Sequence, residues 1–125
     1  MQVVDRSYVF VYGSLKRGYA LHHYLTDQTF HGAASTTPSY RLFDCGEYPG
    51  MVKVATGGCC VKGEVYCIDH QCLQQLEEVE GVDEGYYKYE LIDLQHPFDD
   101  FIVFAFLYLL PTSHLNDCHD EWPAV

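Results

Sequence analysis

The chain has 125 residues, 48% of them hydrophobic and 15% aromatic, and carries 18 acidic against 7 basic side chains for a formal charge of −11. That length and apolar mass suit one globular domain over residues 1–125 with a single core, and the aromatic content favours strands over helices. So negative a surface repels nucleic acid and anionic membranes, and an anionic ligand needs a local positive patch.

The first element is the run Tyr8-Val9-Phe10-Val11-Tyr12, whose β-branched and aromatic residues read as a buried strand. Ahead of it stand Asp5 and Arg6 with only a short apolar run, which is not the pattern of a signal peptide. A cytoplasmic protein with reduced cysteines is expected. The strand breaks into Gly13-Ser14-Leu15-Lys16-Arg17-Gly18, a loop with glycine at both ends. Such a turn exposes consecutive backbone N–H groups, which form a site for a carboxylate or oxyanion. Two of the seven basic residues, Lys16 and Arg17, lie in it, so this loop is the expected place for positive charge. It is not a Walker A loop, because no Gly-Lys-Ser/Thr follows at the required spacing. A β-branched residue at Gly13 is expected to be strained if φ is positive there, and to fill ligand space.

A short helix is expected over Ala20 to Thr26, with His22-His23 as a solvated feature. Two or three strands fill Phe30 to Val54, punctuated by Pro38, Gly46 and Pro49. Glu47, beside Tyr48, lies in a loop of this region, where a binding role stays open. Gly57-Gly58 turns the chain into a strand over Lys62 to Ile68, in which Glu64 reads as a surface or barrel-wall residue. Asp69 caps a helix from His70 to Glu80 that Gly81 stops. A strand from Tyr86 to Leu94 breaks at His96-Pro97-Phe98-Asp99-Asp100, and the last strand runs from Phe101 to Leu110, ended by Pro111. That run is about half the length a bilayer requires, so no membrane span is expected. The core thus occupies about residues 8–110, and the tail from Thr112 to Val125 is polar and without pattern. One helix among many strands predicts an α+β architecture: a compact, curled, barrel-like sheet with one or two packed helices.

Six cysteines occur, Cys45, Cys59, Cys60, Cys67, Cys72 and Cys118, but no Cys-x-x-Cys pair. His114, Cys118 and His119 lack a fourth ligand at a usable spacing. The cysteines therefore read as small apolar residues, with neither metal nor cofactor.

On the helix, at about 100° per residue, Cys72, Leu73, Leu76 and Val79 form one apolar stripe. Glu80 projects onto it, whereas Glu78 points away and Glu77 lies at the border. A carboxylate against a core requires a partner or a function. Alternatively, Glu80 is the frayed last residue and reaches solvent past Gly81. Burial and the negative end of a helix both raise a carboxyl pKa, which suits an acid/base group.

The segment Tyr12-Gly13-Ser14-Leu15-Lys16-Arg17-Gly18 after a hydrophobic strand resembles the signature of the gamma-glutamylcyclotransferase-like family. Tyr48-Pro49-Gly50-Met51-Val52, Lys62-Gly63-Glu64-Val65-Tyr66 and Leu76-Glu77-Glu78-Val79-Glu80-Gly81-Val82 through Tyr87 resemble further segments of that family in the same order. The resemblance runs from about Val9 to Leu109 and is closest to the short gamma-glutamylamine cyclotransferase type. It implies a compact mixed barrel and an enzyme that closes a gamma-glutamyl compound to 5-oxoproline, expelling an amine or amino acid. It also implies Glu80 as the general acid/base and Tyr12, Gly13, Ser14, Leu15 and Tyr108 around a small-molecule substrate, in a monomer or weak dimer. Tyr89 stands where many members carry arginine, which leaves one charge contact and the exact substrate open. Two other readings also stay open: a non-catalytic binding module of the same fold, and acyl transfer on a larger gamma-glutamyl adduct.

Overall fold

Eight strands, one α-helix and a 3-10 turn make up the computed structural model, which describes residues 6–123. In chain order they are β1 (Arg6–Val11), the 3-10 turn (His22–Leu25), β2 (Thr29–Ser35), β3 (Tyr40–Asp44), β4 (Pro49–Lys53) and β5 (Lys62–Asp69). There follow α1 (His70–Val79), β6 (Tyr87–Ile92), β7 (Val103–Tyr108) and β8 (Asn116–His119). A five-stranded sheet runs β2-β5-β1-β7-β6, and a three-stranded sheet runs β4-β3-β8. This is the mixed α+β architecture expected from the sequence.

β1 sits at the centre because both of its faces are apolar. It pairs antiparallel with β5, Val9 opposite Tyr66 and Phe10 opposite Val65, and parallel with β7, Tyr8 opposite Val103. Alternation along a strand sends successive side chains to opposite faces. Phe10 and Tyr12 enter the core between the two sheets, with Leu42, Met51 and Leu107. Val9 and Val11 enter a second core beneath α1, with Leu25, Ile68, Leu76 and Phe106.

Both ends of α1 are held as expected. The Asp69 carboxylate accepts the Cys72 N–H at 2.8 Å. At the other end Gly81 takes φ +69°, its N–H donates to Glu78 O at 3.1 Å, and Val82 N–H donates to Glu77 O at 3.0 Å. That pair of bonds is a Schellman motif, and it makes Glu80 the helix C-cap rather than a frayed end. Cys72 and Leu76 are buried, Leu73 and Val79 partly so, and Glu78 faces solvent.

Three expectations are corrected. The helix over Ala20 to Thr26 is a single 3-10 turn, because seven residues with one buried anchor, Leu25, are too few to nucleate an α-helix. His22 is not merely solvated: its Nδ1 is hydrogen-bonded to Leu15 O at 3.0 Å, while His23 is exposed. The tail supplies β8, which pairs with β3, Phe43 opposite Asp117, and it buries Cys118 and Trp122 in the inter-sheet core. A four-residue strand alternating among polar residues is too short to leave a periodic signal. Asp5 and residues 124–125, parts of the leader and tail readings, lie outside the described residues. No helix among the described residues is long and apolar enough to cross a membrane.

Candidate active site

At the start of the loop after β1, the carbonyls of Gly13, Ser14 and Leu15 are taken and their N–H groups are not. Gly13 O accepts the Lys16 N–H at 3.0 Å, Ser14 O accepts the Leu21 N–H at 2.9 Å, and Leu15 O is bonded to the His22 ring. Among the described residues, no main-chain or side-chain acceptor takes the N–H groups of Gly13, Ser14 or Leu15. Three adjacent free donors are the arrangement that a carboxylate or oxyanion requires. Gly13 is required for space: a Cβ there would lie 2.5 Å from Pro49 Cδ and Cγ, and its φ is not positive.

Gly13, Ser14 and Leu15 line a narrow throat of about 20 Å³ together with Tyr12, Pro49 and Glu80. The throat shares Ser14, Tyr48, Glu80 and Tyr87 with a cavity of about 720 Å³, whose further wall includes Glu47, Tyr86 and Trp122. Glu80 therefore stands where the two spaces meet. Among the described residues its carboxyl has no hydrogen-bond or ion-pair partner, and burial alone raises its pKa from 4.5 to about 7.

Two buried tyrosines frame the throat. Tyr12 donates its hydroxyl to Phe106 O and accepts the Met51 N–H at 3.2 Å. Tyr87 donates to Pro49 O at 2.7 Å. Burial, with the Glu80 carboxylate adding to it, holds both phenols well above their ordinary pKa, so they stay neutral. They fix β4 and β7 beside the loop.

The structure distributes the residues singled out from the sequence unequally. Tyr12, Gly13, Ser14, Leu15 and Glu80 come together. Tyr108 lines neither space; its ring packs edge-on against Tyr87 at 5.4 Å, and a Cβ at Gly50 would meet it at 2.5 Å. Lys16 and Arg17 do not supply a positive patch at the throat, correcting that expectation. The Lys16 ammonium donates to Trp122 O, and Arg17 lies over the Phe30 ring at 3.9 Å with its N–H bonded to Glu64. The free dipoles of this loop are the backbone N–H groups of Gly13, Ser14 and Leu15. Tyr89 packs between Phe104 and Phe106 on the face covered by α1; it lines neither space itself and touches the throat only through Phe106, which lines it.

Tyr48, Tyr87 and Trp122 line these spaces without having been assigned a place there, and Glu47, for which a binding role stayed open, lines the outer cavity. Only Tyr48, beside Pro49-Gly50, carried a local signal. A separate cleft of about 440 Å³ runs past Lys62, Glu64, Gln95 and His96. Most of its polar side chains are partnered: Lys16 with Trp122 O, Lys62 with Asp120, Glu64 with Arg17 and Tyr66, Gln95 with Thr36 O, and His96 with Asp99. Among the described residues no three His, Cys, Asp or Glu side chains are grouped to hold a metal ion.

Comparison with known proteins gives a consistent result. Residues 9–124 match the family described as gamma-glutamyl cyclotransferase, AIG2-like. A Vibrio cholerae relative is 37% identical over 106 residues, covering 85% of this chain and 84% of its own. The gamma-glutamylaminecyclotransferase of Rattus norvegicus is 38% identical over 87 residues, and the match spans 64% of this chain and 58% of the rat protein. A crystal structure of an AIG2-like protein from Mus musculus superposes with a TM-score of 0.73 at 26% identity, covering 94% of this chain and 96% of that one.

Proposed function

The chain belongs to the gamma-glutamyl cyclotransferase, AIG2-like family, and from that premise we propose that it releases 5-oxoproline and a free amine from a gamma-glutamylamine, with Glu80 as general acid/base. The observation that carries this reading is the position of Glu80: an unpartnered carboxyl between a throat lined by Gly13, Ser14 and Leu15, whose N–H groups are free, and a wider aromatic cavity.

The α-amine of the substrate attacks its own γ-carbonyl carbon. A new C–N bond closes the five-membered lactam, and the bond from that carbon to the leaving nitrogen breaks. Both reacting groups belong to one molecule, so the protein's main task is to hold it folded in a near-attack geometry. Glu80 takes a proton from the α-ammonium and delivers it to the departing nitrogen; the second proton shed by the attacking nitrogen follows the same route, so the amine leaves as an ammonium and Glu80 returns to its starting state each cycle. The N–H groups of Gly13, Ser14 and Leu15 hold the α-carboxylate or the developing oxyanion, and Tyr12 closes the inner wall. The scheme balances without a cofactor.

The outer cavity supports an amine rather than a peptide leaving group. Among the described residues lining it, the charged side chains are the carboxylates Glu47 and Glu80, with no lysine or arginine to receive an anionic terminus. Incubation with gamma-glutamylamines and with glutathione, followed by product analysis, tests the reading. Gamma-glutamylamines should yield 5-oxoproline. Free glutamate as the product would mean simple hydrolysis and overturn the scheme.

The base function has a pH signature. With a Glu80 pKa of about 7, kcat/KM should climb as pH rises through 7, following ionisation of the carboxyl. A profile already flat by pH ~5.5, as an ordinary glutamate near ~4.3 would give, would remove Glu80 from this role.

The loop should respond to backbone crowding more than to loss of its hydroxyl. Ser14→Ala keeps every N–H group and should cost only a few-fold in kcat/KM. Gly13→Val drives its side chain into the Pro49 ring, and should cost ~1–3 kcal/mol of stability and most of the activity. Equal effects of the two variants on kcat/KM would argue against binding through the main chain.

A further inference from the structure

Lys16, which lines the separate cleft, and Trp122, which lines the outer cavity, are 106 positions apart in sequence and are joined by a hydrogen bond. Lys16 is only 7% exposed, unusual for a lysine. Its Nζ donates to the Trp122 main-chain carbonyl at 2.6 Å and lies 5.1 Å from the centre of the Tyr19 ring. The Trp122 indole is itself 5.7 Å from the Tyr19 ring, and its Nε1–H donates to Asp44 Oδ1 at 3.3 Å. The segment carrying Trp122 is therefore fastened both to the loop that follows β1 and to the end of β3. A buried ammonium is costly unless paired, so so specific a contact has a structural consequence: it fixes where the indole stands.

The indole stands in the wall of the cavity of about 720 Å³, with Ala20, Leu21, Tyr48 and Tyr86. In the cyclotransferase reading above, on which this inference rests, the gamma-glutamyl carbon sits at the throat and the departing amine has the outer cavity to occupy. That space is far larger than a methylamine requires, and aromatic faces favour a flat or extended apolar body. We infer that Trp122 is a specificity-determining residue for the leaving amine, selecting amines with an extended aromatic or apolar body, and that Lys16 is the positioning residue that seats it.

Trp122 is the sole tryptophan of the chain, so its emission reports the cavity without turnover. In Glu80→Gln protein, titration with gamma-glutamylbenzylamide should shift or quench that emission, and gamma-glutamylmethylamide should not. An equal response to both compounds, or to neither, overturns the assignment. In steady-state assays, Trp122→Ala should raise KM for the benzylamide about ten-fold more than for the methylamide, the scale of one aromatic contact, with kcat moving less than KM. A KM rise of the same size for both substrates would mean a merely structural wall and overturn the proposal. Lys16→Met should reproduce the selective KM rise and red-shift the emission of the free protein. Lys16→Arg, which keeps a donor for the carbonyl, should restore both. Failure of the arginine variant to restore either removes the positioning role. If the wild-type protein forms no 5-oxoproline from either compound, the cyclotransferase reading fails on its own. The emission titration then still decides this inference: a benzylamide-selective response sustains it, and no response overturns it.

Discussion

Replacing Glu80 with glutamine is expected to lower the rate of 5-oxoproline formation by ~10² to 10⁴ while leaving the fold intact. The amide has the size of the carboxyl and keeps a polar end at the junction of throat and cavity, but it cannot take up and return a proton. The fold should even gain. Burial raises the native carboxyl from 4.5 to about 7, so between those values the folded chain holds a proton that the unfolded chain releases. Stability from this group is therefore full at low pH and is lost as pH rises through that window, at a cost of up to ~3 kcal/mol for the ionised form. Glutamine has no such cost, so Glu80→Gln should unfold at a higher temperature than the wild type at pH 8 and show no advantage at pH 4. Opposite movements of activity and stability are the mark of a group held for chemistry. Activity within a few-fold of wild type, or a variant less stable at pH 8, would sink the assignment.

A substrate whose α-amine is acetylated is expected to give no 5-oxoproline at all. The amide nitrogen formed by acetylation has its lone pair delocalised into the carbonyl and is no longer a competent nucleophile. It also carries no ammonium proton for Glu80 to remove. The effect is complete rather than graded because the ring can close only through that nitrogen. Product analysis of a gamma-glutamylamine beside its N-acetyl analogue is the measurement. Amine release from the acetylated compound at a comparable rate would mean that water or a side chain attacks the γ-carbonyl, making the protein an ordinary amide hydrolase.

Both results depend on a small region, and the parts of it that were legible in the sequence are those with local causes. The strand through Tyr8 to Val11 follows from an unbroken β-branched and aromatic run. The ends of α1 follow from Asp69 and Gly81, whose effects reach only three or four residues along the chain. Glu80 could be placed against the apolar stripe because helical geometry is periodic, and the Schellman motif carries that geometry through its backbone. The order of the four family-like segments lies wholly in the sequence as well.

What lay beyond it were contacts between distant segments. Alternation along β7 put Tyr108 on the face of Phe106, and both do pack toward the core beneath α1, but where that face meets the throat depends on how β4 crosses β7. Two of the chain's seven basic residues in one loop looked like an anion site. Yet the direction of a lysine or arginine side chain is set by whichever partner is within reach, here Trp122 O and Glu64. Trp122 itself follows a strand of four residues, β8, that forms only because β3 offers it an edge. Periodicity and capping act over a few residues and can be read along a chain. The wall of the outer cavity closes through a hydrogen bond spanning 106 positions, and such a contact is chosen by the packing of the two sheets, which no local pattern encodes.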